Sequence, residues 1–253
     1  MPEPLRRVTA TRYVEPLREG GSLPGLLEAD DDGMYVTKFR GAGQGEAALV
    51  AEVVAGELAR ALGLLVPELV VVDVPPELGH AEPDPEIQDL LAASPGANLG
   101  MDFLPGSLPF TLPADPPVDP ALAAEVVWFD TLVTNVDRTH RNPNLLVWGK
   151  RTWLIDHGAA FFRQHGGPLA PTAHDGVPML AEHVLLPLAA SIRAADERLA
   201  ARALAAVDGA VALVPDVWLG ADPGARRDDL TAFLTARLAQ PRAFVEEVER
   251  ARR

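Results

Sequence analysis

The chain has 253 residues, 48% of them hydrophobic and 23% charged, with a formal net charge of -14 and no cysteine. That is enough apolar mass for a buried core, in one large domain or two small lobes, and it excludes disulfides and thiolate metal sites. The charge has the wrong sign for a nucleic-acid surface, which needs Lys and Arg to displace counterions, so no nucleic-acid partner is expected.

The N-terminal MPEPLRRVTATRYVEP lacks the apolar core of a signal peptide, and no apolar run reaches bilayer length. A cytoplasmic protein without a membrane partner is expected. YVEPLREGGSLPGLLEADDDGMYVTKF reads as three short strands separated by a Gly-Gly-Ser turn and an acidic turn. In GEAALVAEVVAGELARALGL the apolar positions recur at three and four, and Gly63 stands where a helix would stop. VPELVVVDVP is a strand. Residues 75–89 are polar and Pro-rich and are expected to be a loop. ANLGMDFLPG is expected to connect two parts of the chain, and PFTLPADPPVDP is too rich in proline for a regular element. PALAAEVVWFDTLVTN is a helix with Asp119 as N-cap and Pro120 in its first turn. LLVW, GK and RTWLI form a hairpin, and from residue 185 to the end the chain is Ala- and Leu-rich with helical periodicity. The expected class is α+β, mainly strand with one helix in the first hundred residues and mainly helix beyond.

Two features stand out chemically. Only two lysines occur, Lys38 and Lys150, in a chain that otherwise uses arginine for its cations. Lys150 falls in the hairpin turn, where exposure explains it. Lys38 lies in an alternating strand, ahead of an acidic helix, where an amine is not explained by solvent. The second feature is residues 134–162, which hold three of the four asparagines, Asn135, Asn142 and Asn144. Asp137 and Asn142 have four residues between them, and the hairpin that follows would return Asp156 to their side. A carboxylate and an amide oxygen converging there suit Mg²⁺, which accepts few protein oxygens and borrows others from phosphates. Asp137 would then be free to take a proton from an attacking hydroxyl.

The pair of motifs, DRTHRN and DHG, resembles the protein-kinase-like fold. Asn135-Val136 replaces the His-Arg that protein kinases place before their catalytic Asp, and His157 replaces their Phe. NVDRTHRNPNLL followed by LIDHG is more similar to the HipA-like kinases and the related phosphoinositide-kinase branch. GGSLP resembles the nucleotide-covering loop, YVTKF the strand with the ATP lysine, ALVAEVVAGELARALGL its partner helix and LGMDFLPG the inter-lobe link, so the resemblance covers residues 12 to 165. It implies two lobes: an N-lobe over residues 1–97, a connector over 98–106 and a helical C-lobe over 107–253. It further implies transfer of the γ-phosphate of ATP, with Mg²⁺, to a hydroxyl acceptor, expected to be a protein Ser or Thr. Lys38 would hold the α- and β-phosphates under a loop containing Gly20, Gly21 and Ser22. Glu52 would pair with Lys38, with Glu46 and Glu57 as competitors. Asp137 would be the base, and Asn142 and Asp156 the metal ligands. Arg138 would either stabilise the transferring phosphate or brace the loop through Asp156.

Rival readings keep different chemistry. His140, His157, His165, His174 and His183 lie close in sequence to Asp137, Asp156 and Asp175, as a metal-dependent hydrolase would have them, but no His-Glu-x-x-His spacing is present. His157 is expected to pack or hydrogen-bond beneath the metal loop. His165, His174 and His183 are expected beside the acceptor or on the surface. A nucleotide-binding pseudokinase, or a kinase acting on a small molecule or lipid, would share most of the motifs.

Overall fold

The computed structural model describes residues 3–17, 23–43 and 45–252. The N-terminal part is a closed five-stranded barrel. Its strands are β1 (Arg7–Pro16), β2 (Gly25–Ala29), β3 (Met34–Lys38), β4 (Leu69–Val74) and β5 (Gly96–Asp102), in the order β1-β2-β3-β5-β4. Parallel pairing of Arg7 with Val71 and Val8 with Val72 closes the circle; the other pairings are antiparallel. Val8, Ala10, Leu27, Tyr35, Val70 and Val72 fill the interior. The two-residue period of β3 puts Tyr35 and Thr37 into buried positions and leaves Met34, Val36 and Lys38 on the other face.

Between β3 and β4 runs α1 (Gly45–Leu62), ended by Gly63 at φ +86, a left-handed turn that glycine adopts without strain. This helix is buried along most of its length, from Ala48 to Ala55, because the barrel and a later helix, α4 (Ile192–Ala212), both pack on it.

Residues 75–89, expected as a loop, contain a 3-10 turn at Pro76–Ala81 and most of α2 (Pro85–Ala92). Asp84 accepts from Glu86 N at 3.0 Å and Pro85 opens the first turn. The prolines are thus start signals here rather than breakers. The described part of the first hundred residues therefore holds two α-helices. The stretch 98–106 also differs from expectation. Through Asp102 it is β5, paired with both β3 and β4, so the chain leaves the barrel only after that residue. Asn98, which read as part of a connector, is fully buried. It donates to Ser94 O and Gly96 O at 2.8 and 2.7 Å and accepts from Arg40 N at 2.9 Å.

The remainder is mainly helical. α3 (Pro120–Leu132) has Asp119 as N-cap, accepting from Ala121 N at 2.9 Å, as expected, and stops three residues short of Asn135. Val126, Val127, Trp128 and Phe129 are all fully buried, so this helix is the axis around which α4, α5 (Pro223–Leu238) and α6 (Ala243–Ala251) pack. The expected hairpin is β7 (Leu145–Trp148) and β8 (Arg151–Leu154), turning at Gly149 and Lys150 with φ +56 and +60. A two-residue strand, β6 (Leu108–Pro109), pairs with β7. α6 is tied back by Glu249, whose carboxylate accepts from Ile192 N at 2.8 Å and so caps α4.

Candidate active site

Three separate segments meet where the barrel faces the helical part. β3 contributes Lys38, α1 contributes Glu52, and the segment after β8 contributes Asp156. Lys38 Nζ donates to Glu52 Oε1 and, at 2.6 Å, to Asp156 Oδ1. The competitors named from sequence fall away. Glu57 pairs with Arg60 on its own helix at 3.5 Å, and Glu46 is partly exposed in the first turn.

Glu52 is 3% exposed. Its second oxygen accepts from the His157 backbone N–H at 2.9 Å, and the His157 ring lies 3.6 Å away. Burial alone would raise the Glu52 carboxyl, but the charge of Lys38 and the bond from His157 hold it well below the usual carboxylate range. Burial likewise works against the Lys38 ammonium, and the charges of Glu52 and Asp156 outweigh it, so the amine stays protonated. Gly158 completes the junction: a Cβ there would stand 3.3 Å from Glu52 Oε1 and 3.5 Å from Lys38 Nζ. Asp156 itself has φ +55, an uncommon backbone state for a residue with a side chain.

The loop after α3 presents the second half. Asp137 is half-buried, and its Oδ2 accepts from Asn142 Nδ2 at 2.7 Å and Asn144 Nδ2 at 3.2 Å. Burial first, then the nearby Asp156 charge, push its carboxyl above the ordinary range, against the two asparagine bonds. With the Asn142 nitrogen engaged, its amide oxygen remains as the donor atom for a cation. Asn142 is exposed and Asp156 partly exposed, so a carboxylate and an amide oxygen are open to ligand, the donor set that Mg²⁺ shares with phosphates. Gly20, Gly21 and Ser22 lie outside the described residues.

Arg138 requires a correction. It is 1% exposed, out of reach of a bound phosphate, and its partner is not Asp156. Its Nε donates to Asp130 at 2.6 Å, and its Nη1 donates to the carbonyls of Asn144 and, at 3.3 Å, Ile155. Asp130, on α3, was missed by sequence reasoning because an acid in a predicted helix reads as a solvated face; that it stands within the apolar run VVWFDTL was the available signal. Asn144 was counted among the asparagines but given no role. His183 is neither surface nor acceptor lining: it is 5% exposed with Nε2 3.0 Å from Asp130 Oδ2. His157 is buried against Phe129 and beside Glu52, as expected. His140 and His174 are exposed. Among the described residues no group of three or more His, Asp or Glu is placed to hold a metal.

The family model for HipA-like kinases matches residues 11–243. The chain belongs to the HipA-like kinase family. A search of curated proteins finds no matching relative. Among solved structures the kinase is similar to the Helicobacter pylori proinflammatory kinase CtkA, at 15% identity, covering 98% of each chain with a TM-score of 0.59, a likeness of fold. Among the described residues of the kinase no helix is long and apolar enough to cross a membrane.

Proposed function

We propose that this kinase is a two-lobed phosphotransferase that moves the γ-phosphate of Mg-ATP, bound between barrel and helices, to a hydroxyl, with a protein Ser or Thr as the favoured acceptor and the cytoplasm as its compartment. The observation that carries the reading is the convergence on Lys38 of Glu52 and Asp156, 14 and 118 residues from it along the chain, beside an Asp137 held by Asn142. Phosphoryl transfer asks mainly for positioning and charge neutralisation, and these are the groups that supply both.

Lys38 binds the α- and β-phosphates with an ammonium kept charged by Glu52. Asn142 and Asp156 hold Mg²⁺, which when bound neutralises charge on the phosphates. Asp137 orients the acceptor hydroxyl and takes its proton, with its carboxyl raised above the ordinary range by burial and by the nearby Asp156 charge. Arg138 touches neither substrate.

The test is Asp137→Asn, assayed for Mg-ATP affinity and phosphate transfer side by side. A general base contributes about 10²–10⁴ in rate, so transfer falls by that factor while nucleotide affinity is nearly unchanged. Transfer that survives the substitution removes Asp137 as the base. A matching loss of metal affinity assigns Asp137 to the metal instead. No transfer in parent or variant makes the chain a nucleotide-binding pseudokinase.

A further inference from the structure

Asp130 is 1% exposed and receives hydrogen bonds from three side chains, two on the loop just after α3 and one from far along the chain. Asn135 Nδ2 reaches its Oδ1 at 3.0 Å; Arg138 Nε and His183 Nε2 reach its Oδ2 at 2.6 and 3.0 Å. Two of these donors lead onward to the same residue. Asn135 Oδ1 accepts from the Asp137 backbone N–H at 3.1 Å. Arg138 donates to Asn144 O, and Asn144 Nδ2 donates to Asp137 Oδ2 at 3.2 Å. Asp130 is therefore the root of a fork whose branches hold the backbone and the carboxylate of Asp137.

His183 is the third donor, and it comes from the long segment between Asp156 and α4. Its Nδ1 accepts from Leu185 N at 3.1 Å, so the ring proton sits on Nε2 and points at Asp130. The same segment lies along the Asp137 loop: Thr139 and His183 form an antiparallel bridge, and Val184 N donates to Arg138 O at 3.1 Å. Without His183 the buried Oδ2 keeps only the guanidinium, and the carboxylate, still tied at Oδ1 by Asn135 Nδ2 and by Arg138 Nη2 at 3.4 Å, loses one of the contacts that set its orientation and, through it, that of both branches.

We propose that His183, acting through Asp130, is a positioning residue for phosphate transfer that fixes the Asp137 carboxylate toward the acceptor. The proposal rests on Asp137 serving as the base. A shift of about an ångström in a reacting group costs up to ~10² in rate.

The experiment compares His183→Asn with His183→Gln, each alone and combined with Asp137→Asn. Asparagine keeps an acceptor for Leu185 N and is too short to reach Asp130; glutamine places an amide donor near the lost Nε2. Mg-ATP turnover to ADP is followed with the protein and water as the only acceptors. His183→Asn is expected to lower kcat on the order of 10- to 100-fold at unchanged KM for ATP, and His183→Gln to recover most of the loss. On the Asp137→Asn background His183→Asn costs nothing further, since its effect passes through a group already removed. Amide exchange gives a readout independent of turnover: in His183→Asn the Asp137 N–H exchanges faster while amides of α4 and α5 keep their protection. Parent-like kcat, a rise in KM alone, an equal further loss on the Asp137→Asn background, or unchanged Asp137 exchange each overturns the proposal. If Asp137→Asn is inactive while His183→Asn is parent-like, only the role of His183 fails. If Asp137→Asn itself turns over normally, the base assignment fails first.

Discussion

Glu52 and Asp130 are two carboxylates in surroundings of nearly the same composition. Each is almost wholly buried, each has one cation and one histidine, and in each burial, the largest single influence, is outweighed only by the charge of the cation and the hydrogen bonds of cation and histidine together, which hold the carboxyl well below its usual range. They differ in the cation. Lys38 is a compact ammonium with 15% of its side chain exposed, shared with an Asp156 that is 36% exposed. Arg138 has none of its side chain exposed, and its guanidinium is spent on one carboxylate and two carbonyls. An amine with movable donors on an open edge can trade Asp156 for a ligand; a planar fork with its donors engaged cannot. The same kinds of residue thus make a ligand-ready site in one place and a fixed brace in the other.

The sharpest way to break that comparison is to remove each cation. Arg138→Leu strands Asp130 inside the protein and is expected to cost about 3–5 kcal/mol of stability. Lys38→Met is expected to cost clearly less, because Glu52 keeps the His157 N–H and water can enter from the exposed side, yet it should abolish nucleotide binding. Denaturant unfolding and calorimetric titration with Mg-ATP read both effects. An equal or larger stability loss in Lys38→Met would mean that the two clusters play the same role.

A somewhat smaller effect tests the open edge. At a Mg-ATP concentration about a hundred times its dissociation constant, ligand binding stabilises the parent by roughly 2.7 kcal/mol. Asp156→Asn should lose most of the Mg²⁺-dependent part of this gain in a thermal-shift measurement. Undiminished stabilisation would take Asp156 out of the metal site.

The smallest effect is a change of slope with pH. Because Asp130 and Glu52 are depressed in the folded protein, their stabilisation is complete above the unfolded carboxylate value of about 4 and is withdrawn as pH falls below it. Asp137, whose carboxyl is raised, acts in the opposite sense, binding its proton more readily when folded. Urea unfolding from about pH 6 to about pH 3 should therefore show stability falling with acid in the parent, and falling less steeply in Asp130→Asn. An identical slope in the variant would show that Asp130 is not held depressed.

What the sequence by itself determined here was local. The N-cap at Asp119, the stop at Gly63, the Gly149-Lys150 turn and the spacing of Asp137 from Asn142 all depend on a few neighbouring residues, whose capping, turn geometry and period operate within a short span of chain. Where local signals conflicted, as in the prolines before α2 or the small residues of β5, packing against the barrel decided. The choice of Glu52 over Glu46 and Glu57 needed the face of α1 that meets Lys38. The withdrawal of Arg138 from the phosphate and the burial of His183 needed a partner, Asp130, that lies 53 residues from His183 along the chain. Hydrogen bonds over such separations leave no periodicity in a sequence. They exist only once the apolar faces of α3 and its neighbours have packed and excluded the water that would otherwise have satisfied each of these charges singly.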